Sequence, residues 1–271
     1  MADRAREQSA PERIFAVRGR GVVVTGAASG LGEAIARVLA RNGARVTLVD
    51  VEQESLQGVR DVLAGEGLEV RAVTADIADA EAVEALMAEA AGWGEGLHVV
   101  FANAGISAGL GHAFGTGALA QLDDERWRRV LDVNLTGTLN TIRAASRRLG
   151  PGGKIIVTSS VAGLRPDPLV GYAYSSSKAA VTLMAQNAAA ELAERGITVN
   201  VIAPGSVLTG IGRRNPGNAG MLDRLRQATA LGRLGEPEEF EGIALLLASG
   251  ASDFMTGAVL AVDGGVMVTA R

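Results

Sequence analysis

The sequence contains no cysteine, and this absence excludes disulfide bonds, zinc–thiolate sites and thiol nucleophiles. Histidine is scarce, since only His98 and His112 occur in 271 residues. Neither histidine belongs to a well-supported Ser-His-Asp arrangement, so an activated serine nucleophile is not favoured. We expect no metal site in this chain.

Aromatic residues make up only 3% of the chain and hydrophobic residues 48%, so the core must consist of Val, Leu, Ile and Ala. No apolar run approaches the length of a membrane span, and the charged opening MADRAREQSAPER does not form a signal peptide. The formal net charge is −4 with scattered basic residues, which argues against nucleic acid. We expect a cytoplasmic protein with a small-molecule substrate, without nucleic-acid or membrane partners.

Short Val- and Ile-rich runs alternate with helical patterns along the chain. The predicted strands are 21–26, 44–50, 69–76, 97–104, 154–160, 197–204 and 259–265. The predicted helices are 30–42, 52–64, 79–91, 123–148, 172–195 and 236–248. This alternation predicts an α/β fold, a doubly wound parallel sheet of about seven strands with helices on both faces.

The chain is predicted to form one domain over residues 20–271, preceded by a flexible polar tail over residues 1–19. One long irregular stretch, 205–235, is rich in glycine. Since loops of this length inside α/β domains are usually functional, we interpret it as a substrate lid or a binding loop.

The segment TGAASGLG, residues 25–32, follows the first strand and opens the first helix. Gly26, Gly30 and Gly32 allow the backbone to turn sharply and approach a diphosphate, which the helix N-terminus would stabilise. Because the spacing differs from GxGxxG, a tight turn without a ligand is the alternative interpretation.

Two carboxylates end neighbouring strands. Asp50 ends the second strand, where it could accept the ribose hydroxyls of NAD and repel the 2′-phosphate of NADP. A polar strand end is the structural alternative. Asp76 ends the third strand and could accept from the adenine amino group, or it could cap the helix predicted over 79–91.

The only two tyrosines are Tyr172 and Tyr174, and Lys178 follows four residues after the second. On a helical wheel, Tyr174 and Lys178 begin an apolar, inward-facing stripe that continues as Val181, Ala185, Ala188 and Leu192. A lysine beside the phenol would favour phenolate and lower the tyrosine pKa toward the working pH. The spacing therefore selects Tyr174 over Tyr172 as an acid/base, with packing and a snorkelling lysine as the alternative.

Asn134 lies within the apolar stripe of the helix predicted over 123–148, and a buried amide needs hydrogen-bond partners. It either bonds a neighbouring backbone group or holds a water that connects Lys178 to solvent. Ser159 and Ser160 end the fifth strand, at the ligand-facing edge of the sheet, where a hydroxyl can stabilise a carbonyl oxygen.

Together these features resemble the short-chain dehydrogenase/reductase family in its single-domain, Rossmann-like form, from about Arg20 to Val266. The matching motifs, in chain order, are the glycine turn at Gly26, Gly30 and Gly32, NAG at 103–105, Asn134 in VNLTG, Ser160 in SSVAG, YxxxK at Tyr174 and Lys178, and PGxVxT at Pro204, Gly205, Val207 and Thr209. Two departures are Ala102, in place of the first asparagine of NNAG, and a Ser160-to-Tyr174 spacing one residue longer than usual. The longer spacing leaves Ser159 as the alternative to Ser160.

The resemblance implies an NAD-dependent oxidoreductase for a small-to-medium secondary alcohol or ketone. It assigns Tyr174 as the acid/base, Ser160 to the substrate oxygen, Lys178 to the tyrosine pKa and the nicotinamide ribose, and Asn134 to a relay water. The expected cofactor-binding residues are Gly26, Ser29, Gly30, Leu31, Gly32, Asp50, Asp76, Ile77, Asn103, Ala104, Gly105, Tyr174, Lys178, Pro204, Gly205, Val207 and Thr209. A homotetramer or dimer is expected.

The variable walls of the substrate pocket are predicted to be moderately apolar. The lining residues expected from the sequence are Leu110, Phe114, Leu164, Leu169, Leu208 and Ile211, and Arg213 and Arg214 would either meet an anionic group or be solvated. Two other functions are considered, an NADPH-dependent 3-oxoacyl-thioester reductase and a catalytically silent dinucleotide sensor. Asp50 argues against the first, and the presence of Tyr174 and Lys178 argues against the second.

Overall fold

The computed structural model describes residues 11–114, 117–208 and 219–269. Seven strands form one sheet in the order β3-β2-β1-β4-β5-β6-β7, and every neighbouring pair is parallel. The strands are β1 Gly21–Thr25, β2 Arg45–Asp50, β3 Val70–Thr74, β4 Val99–Ala102, β5 Lys154–Thr158, β6 Thr198–Pro204 and β7 Val259–Val262. All seven predicted strands are confirmed, with some ends one to three residues shorter.

The α-helices of the described residues cover both faces of this sheet. They are α1 Pro11–Ile14, α2 Gly30–Arg41, α3 Gln53–Gly65, α4 Ala80–Ala91, α5 Asp124–Leu131, α6 Thr138–Arg148, α7 Tyr172–Leu192, α8 Ala219–Gln227 and α9 Glu241–Ala248. The helix predicted over 123–148 is two helices joined by a π-helical segment, Asp132–Gly137. Short 3₁₀ turns complete the helices predicted to end at 195 and to begin at 236.

Alternating side chains of the central strands supply two cores, because successive residues of a strand point to opposite faces. Val24 packs on the face covered by α2, α3 and α9, together with Leu39. Val23 packs on the face covered by α4, α6 and α7, together with Met87. Each such buried side chain contributes about 1.5–3 kcal/mol to the stability of the fold. The two cores, one on each face of the sheet, confirm the predicted doubly wound architecture.

The sequence suggested that the segment 205–235 is irregular throughout, but the structure contains a helix within it. Residues 219–227 form α8, in which Met221, Leu222 and Leu225 recur at helical spacing and are half-buried. Of the glycines that suggested a loop, Gly220 lies inside this helix, near its N-terminus. Residues 209–218 lie outside the described residues, and the proposed role of this stretch as a lid stays a prediction.

The packed part of the domain begins before Arg20. Residues 11–14 form α1, Val17 is only 1% exposed, and the Gly19 amide donates to the Gly43 carbonyl. Residues 1–10 of the predicted tail lie outside the described residues. Within the described ranges, no helix is both long and apolar enough to cross a membrane.

The chain order reverses at β1, which lies between β2 and β4. In open parallel sheets, ligands bind outside the carboxyl ends of the strands at such a switch point. The carboxyl ends of β1, β2, β4, β5 and β6 carry most of the residues singled out from the sequence, so the fold brings them to one edge.

Candidate active site

The glycine turn between β1 and α2 has a backbone that only glycine adopts readily. Gly26 has φ of +70° and Gly30 has φ of +57°, both in the left-handed region. A side chain on Gly26 would meet the Ala104 Cα at 2.8 Å, and one on Gly32 would overlap the Gly26 carbonyl oxygen. The turn is therefore pressed against the end of β4 and the start of α2.

The N-terminus of α2 lies at the carboxyl edge of the sheet, directly after β1. Ser29 is the exposed N-cap residue, and within the described chain its hydroxyl makes no capping hydrogen bond. Leu31 is half-buried and packs on the core beneath the turn. The free backbone amides of this first turn are suited to a diphosphate.

Asp50 is tied to the same turn. Its Oδ2 accepts from the Ala28 amide at 3.0 Å and its Oδ1 from the Glu52 amide at 3.1 Å. The carboxylate is half-buried at the end of β2, beside the N-terminus of α2. These bonds fix the carboxylate beside the glycine turn.

Asp76 does not cap the helix that follows it, so that alternative is wrong. Asp79 is the N-cap of α4 and accepts from the Glu81 and Ala82 amides. The Asp76 Oδ1 instead accepts from the Ala78 amide, and its Oδ2 lies 3.5 Å from Arg129 of α5. Sequence patterns did not point to Arg129, because the contact joins segments that are distant along the chain.

Ile77 and Asn103 support the crevice from below. Ile77 is 5% exposed and packs against Gly137 of the π-helical segment. Asn103 Nδ2 donates to the Thr25 carbonyl, and the Thr158 hydroxyl donates to Asn103 Oδ1 at 3.0 Å. Asn103 thereby joins the ends of β1, β4 and β5 and fixes the crevice floor.

Asn134 is fully buried in the π-helical segment. Its Oδ1 accepts from the Ile106 amide at 2.7 Å, and its Nδ2 donates to the Ile106 carbonyl at 3.0 Å and the Ser177 hydroxyl at 3.2 Å. The interpretation that this amide bonds a neighbouring backbone group is confirmed. Its role toward a relay water stays a prediction.

The two serines at the end of β5 have different partners. The Ser159 hydroxyl donates to the Lys178 carbonyl and lies 2.7 Å from the Thr182 hydroxyl, so it is engaged with α7. The Ser160 hydroxyl accepts from the Ala162 amide at 3.2 Å and donates to the Pro204 carbonyl at 3.5 Å, and it is close enough to Tyr174 to lower the pKa of the phenol. Of the two, Ser160 is therefore the serine that faces the phenol.

Lys178 faces inward, as the helical wheel predicted, and is only 4% exposed. Its Nζ lies 5.6 Å from the centre of the Tyr174 ring. Its ammonium donates to the Thr158 carbonyl at 2.8 Å, and burial lowers its pKa from 10.5 to about 8. The chain has only one other lysine, Lys154, which is also buried but pairs with Asp253 at 2.8 Å.

The expected lowering of the tyrosine pKa is not produced by the protein groups around it. Burial raises the pKa of Tyr174, and the nearby Ser160 hydroxyl only partly offsets this. Since desolvation depends on three-dimensional packing, the spacing of Tyr174 and Lys178 could not reveal it.

Tyr172 points away from Ser160 and Lys178, as the helical spacing predicts. Its ring stacks on the exposed His112 at a centroid distance of 6.2 Å. It also lines a separate cavity of about 170 Å³ together with Arg126 and Trp127, and Tyr174 does not line this cavity.

The last wall of the crevice follows β6. A side chain on Gly205 would meet the Asp263 Cα at 2.7 Å, and Val207 pairs with Gly235 in an isolated bridge. Of the proposed apolar lining, Leu110 is exposed, whereas Phe114, Leu164 and Leu169 are half-buried, as is Leu208. The residues Thr209, Ile211, Arg213 and Arg214 lie outside the described residues.

Comparison with known proteins gives matches along almost the whole chain. The family model described as enoyl-(acyl carrier protein) reductase matches residues 26–267. A galactitol 2-dehydrogenase (L-tagatose-forming) of Cereibacter sphaeroides is 37% identical over 94% of this chain and 98% of its own length. A cis-4-hydroxycyclohexanecarboxylate dehydrogenase of Sinomonas cyclohexanicum is 39% identical over 91% of this chain and 96% of its own.

Solved structures agree with these sequence matches. A short-chain dehydrogenase from Burkholderia cenocepacia J2315 in complex with NADP superposes with a TM-score of 0.85, at 30% identity, over 93% of this chain and 100% of that one. A dehydrogenase/reductase from Sinorhizobium meliloti 1021 gives 0.85 at 35% identity, over 94% and 98%. The chain thus belongs to the short-chain dehydrogenase/reductase family and is an oxidoreductase that acts on alcohols.

Proposed function

We propose that this protein transfers a hydride between NAD and a small-to-medium secondary alcohol or ketone, with Tyr174 as the general acid/base. The observation that carries the proposal is the side-chain group at the carboxyl edge of the sheet, where the Tyr174 ring adjoins Ser160 and lies 5.6 Å from the buried Lys178 Nζ. A buried lysine beside a half-buried tyrosine is costly to stability and is expected where proton transfer requires it.

The residues present fit a dinucleotide. The glycine turn leaves room for a diphosphate at the N-terminus of α2. Ser29 is exposed there, and in the described structure its hydroxyl makes no capping hydrogen bond. Asp50 would hold the adenosine ribose, and Asp76 with Ile77 would line the adenine side. Asn103, Ala104 and Gly105 would form the floor, and Pro204, Gly205, Val207 and Thr209 would contact the nicotinamide end. The bound nicotinamide supplies the hydride chemistry.

The chain's own residues handle the proton. During oxidation, the Tyr174 oxygen takes the proton of the substrate hydroxyl, and during reduction it returns a proton to the carbonyl oxygen. Ser160 donates a hydrogen bond to that oxygen as charge develops on it. Lys178, whose pKa is about 8, is charged at neutral pH, and its charge would oppose the burial that raises the pKa of Tyr174. Asn134 positions the water through which the proton reaches solvent.

The preference for NAD rests on Asp50. Its carboxylate, fixed by the Ala28 and Glu52 amides, would repel a 2′-phosphate. Because structural relatives bind NADP, the preference has to be measured as dissociation constants for both cofactors. Asp50→Asn removes the charge and keeps an acceptor oxygen. We expect it to lower the ratio of the NADP dissociation constant to the NAD dissociation constant at least about tenfold. An unchanged ratio would contradict this role.

We also propose that the protein forms a homo-oligomer, a tetramer or dimer. Leu139 of α6 and Leu183 of α7 are exposed by 43% and 61%, and Phe254 near β7 is fully exposed. Large apolar side chains on two helices and next to an edge strand are typical of surfaces that pair with another copy. Light scattering on the purified protein tests this, and a monomer at micromolar concentration would refute it.

The activity itself is tested by supplying NAD or NADP with a panel of secondary alcohols, polyols, cyclic alcohols, steroids and hydroxyacids, and following nicotinamide reduction. The named relatives act on a polyol and on a hydroxylated ring carboxylate, so these classes come first. Turnover of at least one class with NAD supports the proposal. NAD binding without turnover in either direction across the panel would favour a dinucleotide sensor instead.

A further inference from the structure

Ser177 lies on α7 between Tyr174 and Lys178 and is completely buried. Its hydroxyl donates to the Tyr174 carbonyl at 2.7 Å and accepts from Asn134 Nδ2 at 3.2 Å. A serine hydroxyl has one proton to donate, so the bond to the carbonyl directs its lone pairs toward Asn134. Ser177 therefore connects the helix that carries the tyrosine and the lysine to the π-helical segment.

The contact also fixes the orientation of the Asn134 amide. The two ends of an amide side chain are similar in shape, and only their partners distinguish them. Ser177 and the Ile106 carbonyl both accept from Nδ2, while the Ile106 amide donates to Oδ1. The carbonyl end thus faces one side of the site and the amino end the other.

The carbonyl end of Asn134 and the ammonium of Lys178 both border Gly105. A point where Gly105 would carry a Cβ lies 3.2 Å from Asn134 Oδ1 and 3.3 Å from Lys178 Nζ. An amide oxygen on this side stabilises the ammonium, whereas an amino group there would repel it. The orientation that Ile106 and Ser177 fix together therefore places the oxygen of the amide, and not its amino group, on the side of the site that Lys178 borders.

A purely local role does not account for this serine. The bond to the Tyr174 carbonyl resembles the one that Ser175 makes to the Tyr172 carbonyl at 3.2 Å on the same helix. Ser175, however, is only half-buried, and among the described contacts it has no bond to another helix. A hydroxyl buried on an apolar helix face is unfavourable unless its partners need it.

We propose that Ser177 is a positioning residue that holds the Asn134 amide in register with Lys178 and Tyr174. The inference rests on the proposed function for its catalytic consequence, although the positioning itself can be observed without turnover. Nothing in the YxxxK spacing required this position to be serine.

The first test uses the fact that the chain has only two tyrosines. In a Tyr172→Phe background, the ultraviolet absorbance of tyrosinate reports the titration of Tyr174 alone. We expect Ser177→Ala to move this titration upward by about half a pH unit or more, because the Asn134 amide then keeps only its two bonds to Ile106 and is held less firmly beside Lys178. Ser175→Ala in the same background is the matched control and should leave the titration unchanged. Identical titrations for the two serine variants would overturn the proposal.

The second test measures turnover and separates the two proposals. We expect Ser177→Ala to lower kcat about tenfold and to shift the pH profile of kcat in the same direction as the titration, while the KM for the cofactor changes little. Ser177→Thr, which keeps the hydroxyl, should recover most of the loss. A kcat that falls only in proportion to a lower thermal midpoint would overturn the positioning role. Failure of the proposed function would appear differently, as turnover that survives Tyr174→Phe.

Discussion

Replacing Lys178 with methionine should make the protein more stable while removing its activity. Burial lowers the pKa of Lys178 from 10.5 to about 8, and this change corresponds to about 3 kcal/mol of unfolding free energy when the lysine is charged. The substitution also removes the 2.8 Å bond to the Thr158 carbonyl, at a cost of about 1 kcal/mol. Lys178→Met should therefore gain about 2 kcal/mol near neutral pH, or roughly 5 °C in Tm.

The pH dependence gives the sharper signature. The pKa of Lys178 is lower in the folded protein than in the unfolded chain, where it is 10.5. The loss of stability caused by burying the charged lysine is therefore absent well above pH 10.5, develops as pH falls, and is complete below about pH 8. The difference in unfolding free energy between Lys178→Met and wild type should change by about 3 kcal/mol over this window. Urea unfolding followed by tryptophan fluorescence measures it.

Lys154→Met is the matched control, since it also removes a buried lysine. The ammonium of Lys154 already pairs with Asp253 and lies 3.4 Å from the Ser252 hydroxyl, so its removal should give no gain in stability. With only two lysines in the chain, a lysine-labelled NMR titration can also read the Lys178 pKa directly. A Lys178→Met protein that is no more stable than wild type at pH 7, or a difference that does not vary with pH, would refute the reasoning.

The glycine turn and the opposite edge of the sheet give two further predictions. Gly32→Ala should weaken NAD binding and lower stability by about 1–3 kcal/mol through overlap with the Gly26 carbonyl, whereas Gly58→Ala, which meets open space on α3, should raise stability by about 0.5–1 kcal/mol. Calorimetry with and without NAD checks both, and equal NAD affinity in the two variants would count against the diphosphate site. Burial, with Arg20 and Arg45 nearby, lowers the pKa of His98, whose Nδ1 accepts from the Gly21 amide. Stability should thus be full above pH 6.5 and decline as pH falls through the lowered pKa, and His98→Asn should shift acid unfolding to lower pH; an unchanged acid midpoint would exclude His98 as the cause.

The order of elements could be read from the sequence because the central strands are buried on both faces. Runs such as GVVVT in β1 and KIIVT in β5 are completely buried, and short runs rich in Val and Ile are typical of the inner strands of parallel sheets. The inward position of Lys178 also followed from helical periodicity. These features are local, since a strand or helix is encoded in consecutive residues.

The parts that the sequence did not disclose depend on contacts between distant segments. The break in the helix predicted over 123–148 occurs at Asn134, whose partners Ile106 and Ser177 belong to other elements. Asp79, and not Asp76, caps α4, and the Asp76 carboxylate pairs with Arg129 of α5. In the same way, the direction of the Tyr174 pKa shift is set by desolvation and not by the spacing to Lys178.

Proton exchange between Tyr174 and the substrate is the central claim of the proposed mechanism. The most direct measurement is the turnover of Tyr174→Phe beside Tyr172→Phe, on the best substrate of the panel and with cofactor binding measured for each. We predict that Tyr174→Phe loses at least about 100-fold in kcat while still binding NAD, and that Tyr172→Phe stays close to wild type. Turnover that survives Tyr174→Phe, or is lost in Tyr172→Phe instead, would contradict the claim.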